Sequence, residues 1–462
     1  MNSSTLTRQS RREFLKRASA VSMTGVAAPW ALNLAAMGEA AAAAATDYKA
    51  LVCVFLYGGN DYANTVVPYD LASHTAYKNQ RAAIAIERAT LGATVLNPTA
   101  ALPGDRQYAL APELAPLVPL FDAGQMAVML NVGTLVQPTT KLQFTNKSVP
   151  LPPKLFSHND QQSVWQSSAP EGSTSGWGGR MGDLFAAGNG NATFTCVSVA
   201  GNAVYLSGQS AVQYQVSTNG SVPLSALKAP LFGSQACSDA LKKLVTAPGT
   251  HLFEAEHARV MKRSIEADAE LTSALAGTTA LRTVFPTGNT LASQLAMVAR
   301  MISARTALTA KRQVFFVSLG GFDTHDGILT EHPALMTTVG EALAAFQTAA
   351  AELGVANSVT TFTASDFGRT LTTDGDGSDH GWGSMHFVLG GAVKGKAFYG
   401  AAPVIANNGP DDVGQGRLLP SVAVDQFAAT LANWFGVSNT DAASVLPNIG
   451  NYSARDLGFM SA

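Results

Sequence analysis

Residues 315–327, FFVSLGGFDTHDG, bring together side-chain types that bind metal ions. An apolar, strand-like run ends at two glycines and is followed by Asp323, His325 and Asp326. Carboxylates supply negative charge, and imidazoles favour transition metals over Mg²⁺ and Ca²⁺. The stretch therefore suggests a metal site. The alternative is a turn, because Asp and Gly are also ordinary turn residues.

The same arrangement recurs at other predicted strand ends. Asp61 follows VCVFLYGGN and Asp366 follows TTFTAS, while Asp379 and His380 lie in DGDGSDHGWGSMH, just before another strand. If these strands are neighbours, the groups meet at one edge and suit Zn²⁺, Mn²⁺ or a pair of divalent ions. DGDGSD alone is also compatible with a weak Ca²⁺ loop, although the glutamate that closes an EF-hand is missing. The predicted metal ligands are Asp61, Asp323, His325, Asp366 and His380.

Further polar residues next to these loops are candidates for catalysis or substrate binding. Ser157 precedes a predicted helix, where it is either a nucleophile favoured by the helix dipole or a simple N-cap. His158 could bind substrate, ligate a metal or be a polar surface residue. Arg369 could clamp an oxyanion or pair with a nearby aspartate. The substrate-binding candidates are His158, Asn60 and Asp379.

The remaining histidines are interpreted as having no part in the chemistry. His386 starts an apolar strand and is predicted to be structural or to support a site residue from behind. Four others lie in polar or helical segments and are predicted to be at the surface: His74, His251, His257 and His332. Motifs of other enzyme classes are missing, because the sequence has no GxSxG, P-loop, HExxH or GxGxxG after its first strand.

Apolar runs that alternate with helical patterns must position these residues. Strands are predicted near 49–59, 127–132, 313–319, 358–364 and 386–393, and helices near 112–123, 158–168, 333–353 and 424–435. This alternation predicts an α/β fold with a mostly parallel sheet between helices. In such sheets, binding sites lie at the carboxyl ends of the strands. The candidate residues follow or border those ends.

The chain divides into three predicted parts. Residues 1–45 form a signal segment, 46–440 form one α/β domain with a helical insertion at about 220–310, and 441–462 form a polar tail. The length of 462 residues is ample for a large core. The net charge is -2 and no basic stripe occurs, which excludes nucleic acid as an expected partner.

The N-terminus predicts export. Arg11 and Arg12 precede a weakly apolar, alanine-rich run, as in a twin-arginine (Tat) signal, although an amphipathic N-terminal helix is an alternative. No later segment reads as a membrane helix. The expected location is the periplasm or the outside of the cell, with the Tat translocon as a partner during export. Such a compartment permits disulfides, so a Cys196–Cys237 pair stays open, whereas Cys53 reads as a buried apolar residue.

Several motifs in order resemble a known family. FLYGGNDYANTVVPYD, LFSHNDQQSVWQ, SLGGFDTHDG, ASDFGRT and DHGWGSMHFVLGGAVKGKAFYG resemble the secreted bacterial family named domain of unknown function 1501, over about residues 48–440. The resemblance places the chain in the alkaline phosphatase-like superfamily, with sulfatases, phosphodiesterases and cofactor-independent phosphoglycerate mutases. It implies a mixed, mainly parallel sheet between helices. It also implies hydrolysis or transfer at phosphate or sulfate esters, using one or two divalent metals.

The resemblance also implies roles for single residues. By this resemblance, Asp61 matches a metal-binding aspartate after the first strand, and Ser157 matches the nucleophile. Asp323 and His325 match an aspartate–histidine metal pair. Asp366 matches a later metal-binding aspartate, and His380 matches the last metal-binding histidine. This sequence departs from the superfamily at Phe367, where a histidine ligand usually follows the aspartate. It also lacks the CxPSR or SxPSR signature, which disfavours a standard sulfatase.

Three functional hypotheses follow. The first is an exported metal-dependent hydrolase of phosphate or sulfate esters on small molecules or glycans, with Zn or Mn held by Asp323, His325 and His380. Ser157 would attack phosphorus or sulfur, and Arg369 would neutralise charge. Asp61 and Asp366 would hold a second metal or orient the first. The second hypothesis is a non-catalytic exported protein that binds a glycan or a protein partner in the same cleft, and a structural envelope protein without a site is a third.

Overall fold

A ten-stranded sheet forms the centre of the computed structural model, which describes residues 47–461. The predicted signal segment at 1–45 therefore lies outside the described residues. The strands of the chain are β1 (Lys49–Leu56), β2 (Val66–Pro68), β3 (Tyr108–Leu110), β4 (Met126–Gly133), β5 (Cys196–Ser198), β6 (Tyr214–Ser217), β7 (Gly220–Ser221), β8 (Arg312–Leu319), β9 (Val359–Ser365), β10 (Ser384–Leu389), β11 (Ala397–Tyr399) and β12 (Val422–Ala423). Of these, β2 and β3 form a separate antiparallel pair.

The strand order of the sheet is β11–β4–β10–β9–β1–β8–β5–β6–β7, and β12 also pairs with β4. Strand β1 is parallel to both of its neighbours, β8 and β9, and β5 continues the parallel set beside β8. In contrast, β10 is antiparallel to both β9 and β4. The predicted α/β fold with a mixed, mainly parallel sheet is confirmed.

Helices cover both faces of this sheet. They are α1 (Leu71–Gln80), α2 (Val118–Asp122), α3 (Lys141–Asn146), α4 (His158–Ser167), α5 (Trp177–Phe185), α6 (Ser225–Lys228), α7 (Gln235–Thr246), α8 (Leu252–Ala276), α9 (Thr290–Ser303), α10 (Ile328–Glu352), α11 (Val424–Phe435) and α12 (Ala442–Val445). The helix predicted at 112–123 is instead a 3₁₀ segment, Pro112–Leu117, followed by α2. Pro116 and Pro119 lack the backbone N–H that an uninterrupted helix needs there.

Two apolar clusters fill the space between the sheet and its helices. Along β1, Val52 and Val54 point into the cluster beneath α9 and α10, whereas Cys53 and Phe55 point into the cluster beneath α5 and α11. This alternation explains why β1 reads as a continuous apolar run, because both of its faces are covered. The strand ends are thereby fixed in a rigid layer, and the loops that follow them can hold side chains in defined positions.

The last residues of the chain pack on this core. The side chains of Leu446, Ile449 and Phe459 are buried in the cluster beneath α11, and Met460 forms a bridge to Val393. The predicted boundary at residue 440 therefore does not mark the end of the packed domain. The segment at 220–310 contains α6 to α9, as expected of the predicted helical insertion.

Two of the histidines predicted to be at the surface are buried, so that prediction was wrong for them. His74 bonds the carbonyl of Ile86, and His332 lies in the interior, where burial lowers its pKa to about 4. His386 is buried, as predicted for a structural residue. The three cysteines are free thiols, and the pair left open by the sequence is not formed: Cys53 and Cys196 are buried, and Cys237 is exposed. Within residues 47–461, none of the helices has the length and apolar character needed to span a bilayer.

Candidate metal centre

Two loops and one helix end meet at the carboxyl edge of the parallel strands. The loop after β8 carries Asp323 and His325, the loop between β9 and β10 carries Asp366 and His380, and α4 begins with His158. Because β10 runs antiparallel, the loop that precedes it lies at the same edge as the loops that follow β8 and β9. The topology therefore brings together residues that are far apart in the sequence.

The imidazole Nε2 atoms of three histidines gather around the Asp323 carboxylate. Nε2 of His380 lies 3.0 Å from Nε2 of both His158 and His325. Asp323 places Oδ1 3.0 Å from His325 Nε2 and 3.2 Å from His380 Nε2, and Oδ2 3.3 Å from His158 Nε2. Ligand atoms bound tetrahedrally to Zn²⁺ at 2.0–2.1 Å lie about 3.3 Å apart. The separations among His158, Asp323 and His380 fit one transition-metal ion, and His325 and Asp379 form a second such group with His380.

The hydrogen bonds behind two of these rings direct lone pairs into the cluster. A carbonyl oxygen only accepts, so His380 Nδ1, 2.8 Å from the Phe156 oxygen, carries the ring proton. His158 Nδ1 likewise donates to Asp366 Oδ2 at 2.6 Å. In neutral rings, two Nε2 lone pairs then face each other across 3.0 Å. A cation relieves that repulsion, as in carboxylate–histidine–metal arrangements.

Asp366 lies behind His158 instead of at the point where the Nε2 atoms meet. Its Oδ2 also accepts from Gln162 Nε2 at 2.8 Å and from the Gly58 N–H at 3.2 Å. Its Oδ1 is buried and has no hydrogen-bond partner among the described residues. Asp366 was predicted to bind the metal itself, but the structure places it where it orients His158.

Arg369 is fully buried and directed at Asp323. Its Nη1 donates to Asp323 Oδ1 at 2.5 Å and to the Gly58 carbonyl at 3.1 Å, and its Nη2 donates to the Ser378 carbonyl. Burial alone would raise the pKa of Asp323, but the hydrogen bond and charge of Arg369 hold that pKa below its usual value. Of the two roles predicted for Arg369, the structure shows the pairing with an aspartate. Asp323 therefore stays ionised, as a metal ligand must.

The pKa values of two cluster histidines are shifted in opposite directions. The hydrogen bond to Asp366 raises the pKa of His158, although burial opposes it. Burial lowers the pKa of His380, which keeps that ring neutral. A neutral imidazole is the form that binds metal, and protons compete with metal for Nε2 of His158.

Asp61 and Asn60 are occupied by other contacts. Asp61 is buried in an ion pair with Arg81 and accepts hydrogen bonds from the N–H groups of Ala63 and Asn64. Asn60 is buried, and its amide oxygen lies 3.1 Å from His332 Nε2. These contacts stabilise the turn after β1. The structure does not bring Asp61 into the histidine cluster, and it gives Asn60 no exposed surface for a substrate.

Ser157 occupies the N-cap position of α4 without capping it. Its Oγ donates to Asp160 Oδ2 at 3.0 Å, and no hydrogen bond links Oγ to the first-turn N–H groups. The side chain of Asp160 is buried and lies 3.6 Å from Lys154 Nζ. Ser157 directly precedes His158, so its hydroxyl group belongs to the same helix end as a cluster imidazole.

Asp379 borders the cluster on its outer side. One of its oxygens could join His325 and His380 as a ligand, because the three groups offer atoms within 4.8 Å of one another. Asp379 Oδ2 accepts from Arg417 Nη2 at 2.9 Å, and Oδ1 accepts from the His380 N–H at 2.7 Å. Behind His325, Nδ1 lies 3.5 Å from Asp374 Oδ2.

Two features of the backbone and packing explain why the loops approach so closely. Gly58 has φ +116°, and a Cβ there would lie 2.4 Å from the Asp323 nitrogen, so only glycine lets β1 and β8 end side by side. Phe367, which has no metal-binding atom, packs its ring 4.8 Å from the ring of His158 and 4.9 Å from that of His380. Phe367, which stands where the sequence resemblance leads one to expect a histidine ligand, therefore supports the cluster by packing.

The sequence left metal ligation as one of three roles for His158, and it did not identify Phe156 or Arg417 at all. HND at the start of a helix after a proline-rich loop gives no metal-binding spacing, since its partners lie more than 150 residues away. The one available signal for His158 was its position at the start of a predicted helix. A carbonyl oxygen such as that of Phe156 leaves no trace in the residue type.

Comparison with solved structures finds proteins of low sequence identity to this chain. Solved structures similar to it include "Ps i-CgsB in complex with k-i-k-neocarrahexaose" (9% identity, 88% of this chain and 77% of that chain, TM-score 0.36). Others are the lipoteichoic acid synthase LtaP from Listeria monocytogenes (8%, 89% and 79%, 0.32) and the PsFucS1 sulfatase from Pseudoalteromonas sp. (9%, 93% and 77%, 0.35). At TM-scores this low, the likeness says nothing about the chemistry of this chain.

No curated protein sequence matches this one. Residues 48–445, most of the chain, match the family described as "Protein of unknown function (DUF1501)". The match covers the sheet, the insertion and every residue of the cluster. The resemblance found in the sequence motifs is confirmed, and the chain belongs to the DUF1501 family.

Proposed function

We propose that this protein is an exported metal-dependent hydrolase that acts on phosphate or sulfate esters. The observation that carries the proposal is that His158 and His325 Nε2 each lie 3.0 Å from His380 Nε2, and that all three Nε2 atoms lie 3.0–3.3 Å from an oxygen of Asp323. The proposed ligands are His158, Asp323, His325 and His380. This set of imidazoles and one carboxylate favours Zn or Mn over Mg²⁺ or Ca²⁺.

A bound metal would supply Lewis-acid stabilisation of negative charge on the ester oxygens. The chain's own residues prepare the site for it. Arg369 keeps Asp323 ionised and oriented, Asp366 holds His158 through Nδ1, and the buried surroundings keep His380 neutral. The cluster is open to the solvent, because the side chains of Asp323 and His325 are 44% and 40% exposed. An ester group on a small molecule or glycan can reach it from the solvent.

Ser157 is the proposed nucleophile. Its Oγ would form a bond to phosphorus or sulfur as the ester's alcohol leaves, and Asp160, which already accepts the hydroxyl hydrogen bond, would take the Oγ proton. Water would then release phosphate or sulfate and restore the serine. The start of α4 supports this role, because a helix N-terminus favours an oxyanion.

The proposal is tested by metal analysis and turnover on the purified protein. The wild type is expected to bind zinc or manganese and to cleave p-nitrophenyl phosphate or p-nitrophenyl sulfate. Asp323→Ala is expected to lose both metal and turnover, and Ser157→Ala to keep the metal and lose turnover. Ser234→Ala is the matched control, because Ser234 is also an N-cap serine without a side-chain cap bond, in the helical insertion.

Specific observations favour one alternative, a non-catalytic exported protein that binds a glycan or protein partner. Phe367 cannot complete a second metal site, and the guanidinium of Arg369 is already engaged by Asp323 and by the backbone. This alternative would be favoured if the wild type binds metal but cleaves neither ester, and if Ser157→Ala has the same metal content and turnover as the wild type. Absence of metal from the wild type would refute both the hydrolase proposal and the assignment of the centre.

Export by the Tat route is also part of the proposal. It rests on Arg11 and Arg12 ahead of an alanine-rich run. Fractionation of cells that produce the full chain is expected to recover the protein in the periplasm or medium. The double substitution Arg11→Lys and Arg12→Lys is expected to retain it in the cytoplasm. Equal export of the variant would contradict the twin-arginine assignment.

A further inference from the structure

We propose that Arg417 is a positioning residue that fixes the ring of His380 in the metal centre. This inference rests on the proposed metal-dependent function. Arg417 Nε donates to the backbone oxygen of His380 at 2.7 Å, and its Nη2 donates to Asp379 Oδ2 at 2.9 Å. Its guanidinium carbon lies 4.7 Å from the ring centre of Phe156, in a cation–π contact.

The contact with Phe156 matters because Phe156 also holds the imidazole. The carbonyl oxygen of Phe156 accepts from His380 Nδ1 at 2.8 Å. One guanidinium therefore contacts both His380's own backbone and the residue that supplies the acceptor for its ring. Both contacts therefore act on the position of the same ring, one through the His380 backbone and one through Phe156.

Phe156 has a backbone conformation that needs such support. Its φ is +73°, in the left-handed region that a bulky residue adopts only when its surroundings enforce it. If the guanidinium is removed, Phe156 is free to relax, and its carbonyl no longer has to face Nδ1. The His380 ring then can rotate or move its proton to Nε2, which would block the lone pair that a metal requires.

The loop that carries Arg417 is held by hydrogen bonds of its own. Asp412 is buried, and its Oδ1 accepts from the N–H groups of Gly414 and Gly416 at 2.6 and 2.8 Å. The Val413 N–H bonds the Arg417 carbonyl at 3.0 Å, which closes the loop on itself. Its backbone is thus held within the loop, whereas its guanidinium contacts reach out to His380, Asp379 and Phe156. This division distinguishes a positioning role from a purely local one.

The experiment compares Arg417→Met with Arg88→Met in the full mature protein. Arg88 is a matched control outside the site: its Nε donates to the Tyr69 carbonyl at 2.7 Å, and its guanidinium carbon lies 4.3 Å from the Tyr69 ring centre. Zinc affinity is measured by competition with a chelator. We expect Arg417→Met to bind zinc about 10–100-fold more weakly, as is typical when a group that orients a metal ligand is lost. Arg88→Met should match the wild type.

A second readout does not depend on metal. In metal-free protein labelled with ¹⁵N-histidine, NMR distinguishes an Nδ1–H from an Nε2–H imidazole, and a His380→Gln variant assigns the signal. The wild type is expected to show the Nδ1–H form of His380, and Arg417→Met a shift towards the Nε2–H form. Arg417→Lys, which keeps the charge but not the planar two-point contact, should fall in between, and it replaces Arg417→Met if that variant does not fold.

The outcomes separate the two proposals. An unchanged His380 signal in the Arg417 variants would overturn the positioning role, whatever the zinc result. If the wild type binds zinc and Arg417→Met binds it equally tightly, the positioning role is also overturned, while the metal centre stands. A wild type that binds no zinc would refute the proposed function, and the NMR comparison would still decide the role of Arg417.

Discussion

His158 depends on a single carboxylate for its orientation. Asp366 accepts from its Nδ1 at 2.6 Å and is itself held by Gln162 and Gly58. In Asp366→Asn, the neutral amide accepts this hydrogen bond more weakly, and its NH₂ group can turn towards Nδ1 instead. We expect zinc affinity, measured by chelator competition, to fall by about tenfold or more.

The control for this prediction is a second buried carboxylate away from the cluster. Asp425 accepts from Ser168 Oγ and the Asn448 N–H, and none of its contacts is to a cluster residue. Asp425→Asn should leave zinc affinity unchanged. If Asp366→Asn binds zinc as tightly as Asp425→Asn does, Asp366 does not orient His158.

His332 gives a prediction about pH. Burial lowers its pKa from 6.5 to about 4 in the folded protein. As the pH falls through 6.5, the unfolded chain takes up a proton that the folded protein refuses until about pH 4. The free energy of unfolding should therefore decline across this window, by up to about 1.4 kcal/mol per pH unit from this residue. Chemical denaturation of His332→Gln at pH 7, 6, 5 and 4 should show a shallower decline.

The exposed His257 supplies the comparison for that experiment. His257→Gln is expected to follow the wild-type dependence on pH. His386, also buried, keeps part of the decline in every variant, because burial lowers its pKa to about 3. Parallel curves for His332→Gln and the wild type would show that His332 takes up its proton equally in both states.

Residue types alone could not separate metal-binding aspartates from aspartates that share the same sequence pattern but lie outside the metal centre. Asp61 in GGND and Asp323 in GGFD share a pattern, but Asp61 pairs with Arg81 and Asp323 faces three imidazoles. The partner of Asp61 comes from a segment with no signature, the end of α1. What decides the role of each aspartate is the tertiary neighbour, and this information is spread over distant parts of the chain.

At the scale of elements, the sequence was most informative where apolar runs end in glycine. β1, β8 and β9 were predicted within a few residues, and so was the edge at which their loops meet. The direction of β10 was not predicted. A parallel strand would have put His380, which precedes it, at the opposite edge of the sheet. The antiparallel pairing of β10 with β9 is what makes His380 available to the cluster.

The junction of β1 and β8 carries a prediction at this scale. A methyl group at Gly58 would meet the Asp323 nitrogen at 2.4 Å and the Phe322 carbonyl carbon at 2.8 Å, both of them backbone atoms. Gly58→Ala should therefore displace the loop that presents Asp323. We expect a loss of zinc affinity of tenfold or more, and a lower melting temperature.

The effect of backbone strain at positive φ has to be distinguished from the effect of this steric clash. Gly124 also has positive φ, +73°, but a methyl group there meets open space. Gly124→Ala should lower the melting temperature modestly and leave zinc affinity intact. Equal effects of the two substitutions on zinc affinity would show that the close approach of β1 to β8 does not position the centre.

At the scale of the whole molecule, the centre joins three segments that are distant in the sequence. Its proposed ligands come from the start of α4, the loop after β8 and the loop before β10. An ion bound by all three stabilises only the folded state, in which they meet. With free zinc at 100 times the dissociation constant, the stabilisation is about 2.7 kcal/mol. For a chain of this length, this corresponds to a rise in melting temperature of roughly 3 °C.

Calorimetry of metal-free and zinc-loaded protein tests this linkage. The melting temperature should rise with the logarithm of free zinc once the site is saturated, and excess chelator should reverse the rise. Asp323→Ala should show no zinc-dependent shift, because it removes the carboxylate that contacts all three imidazoles. A zinc-dependent rise that persists in Asp323→Ala would place the stabilising ion elsewhere. The same measurement thus reports whether the three segments act as one site, independently of any turnover.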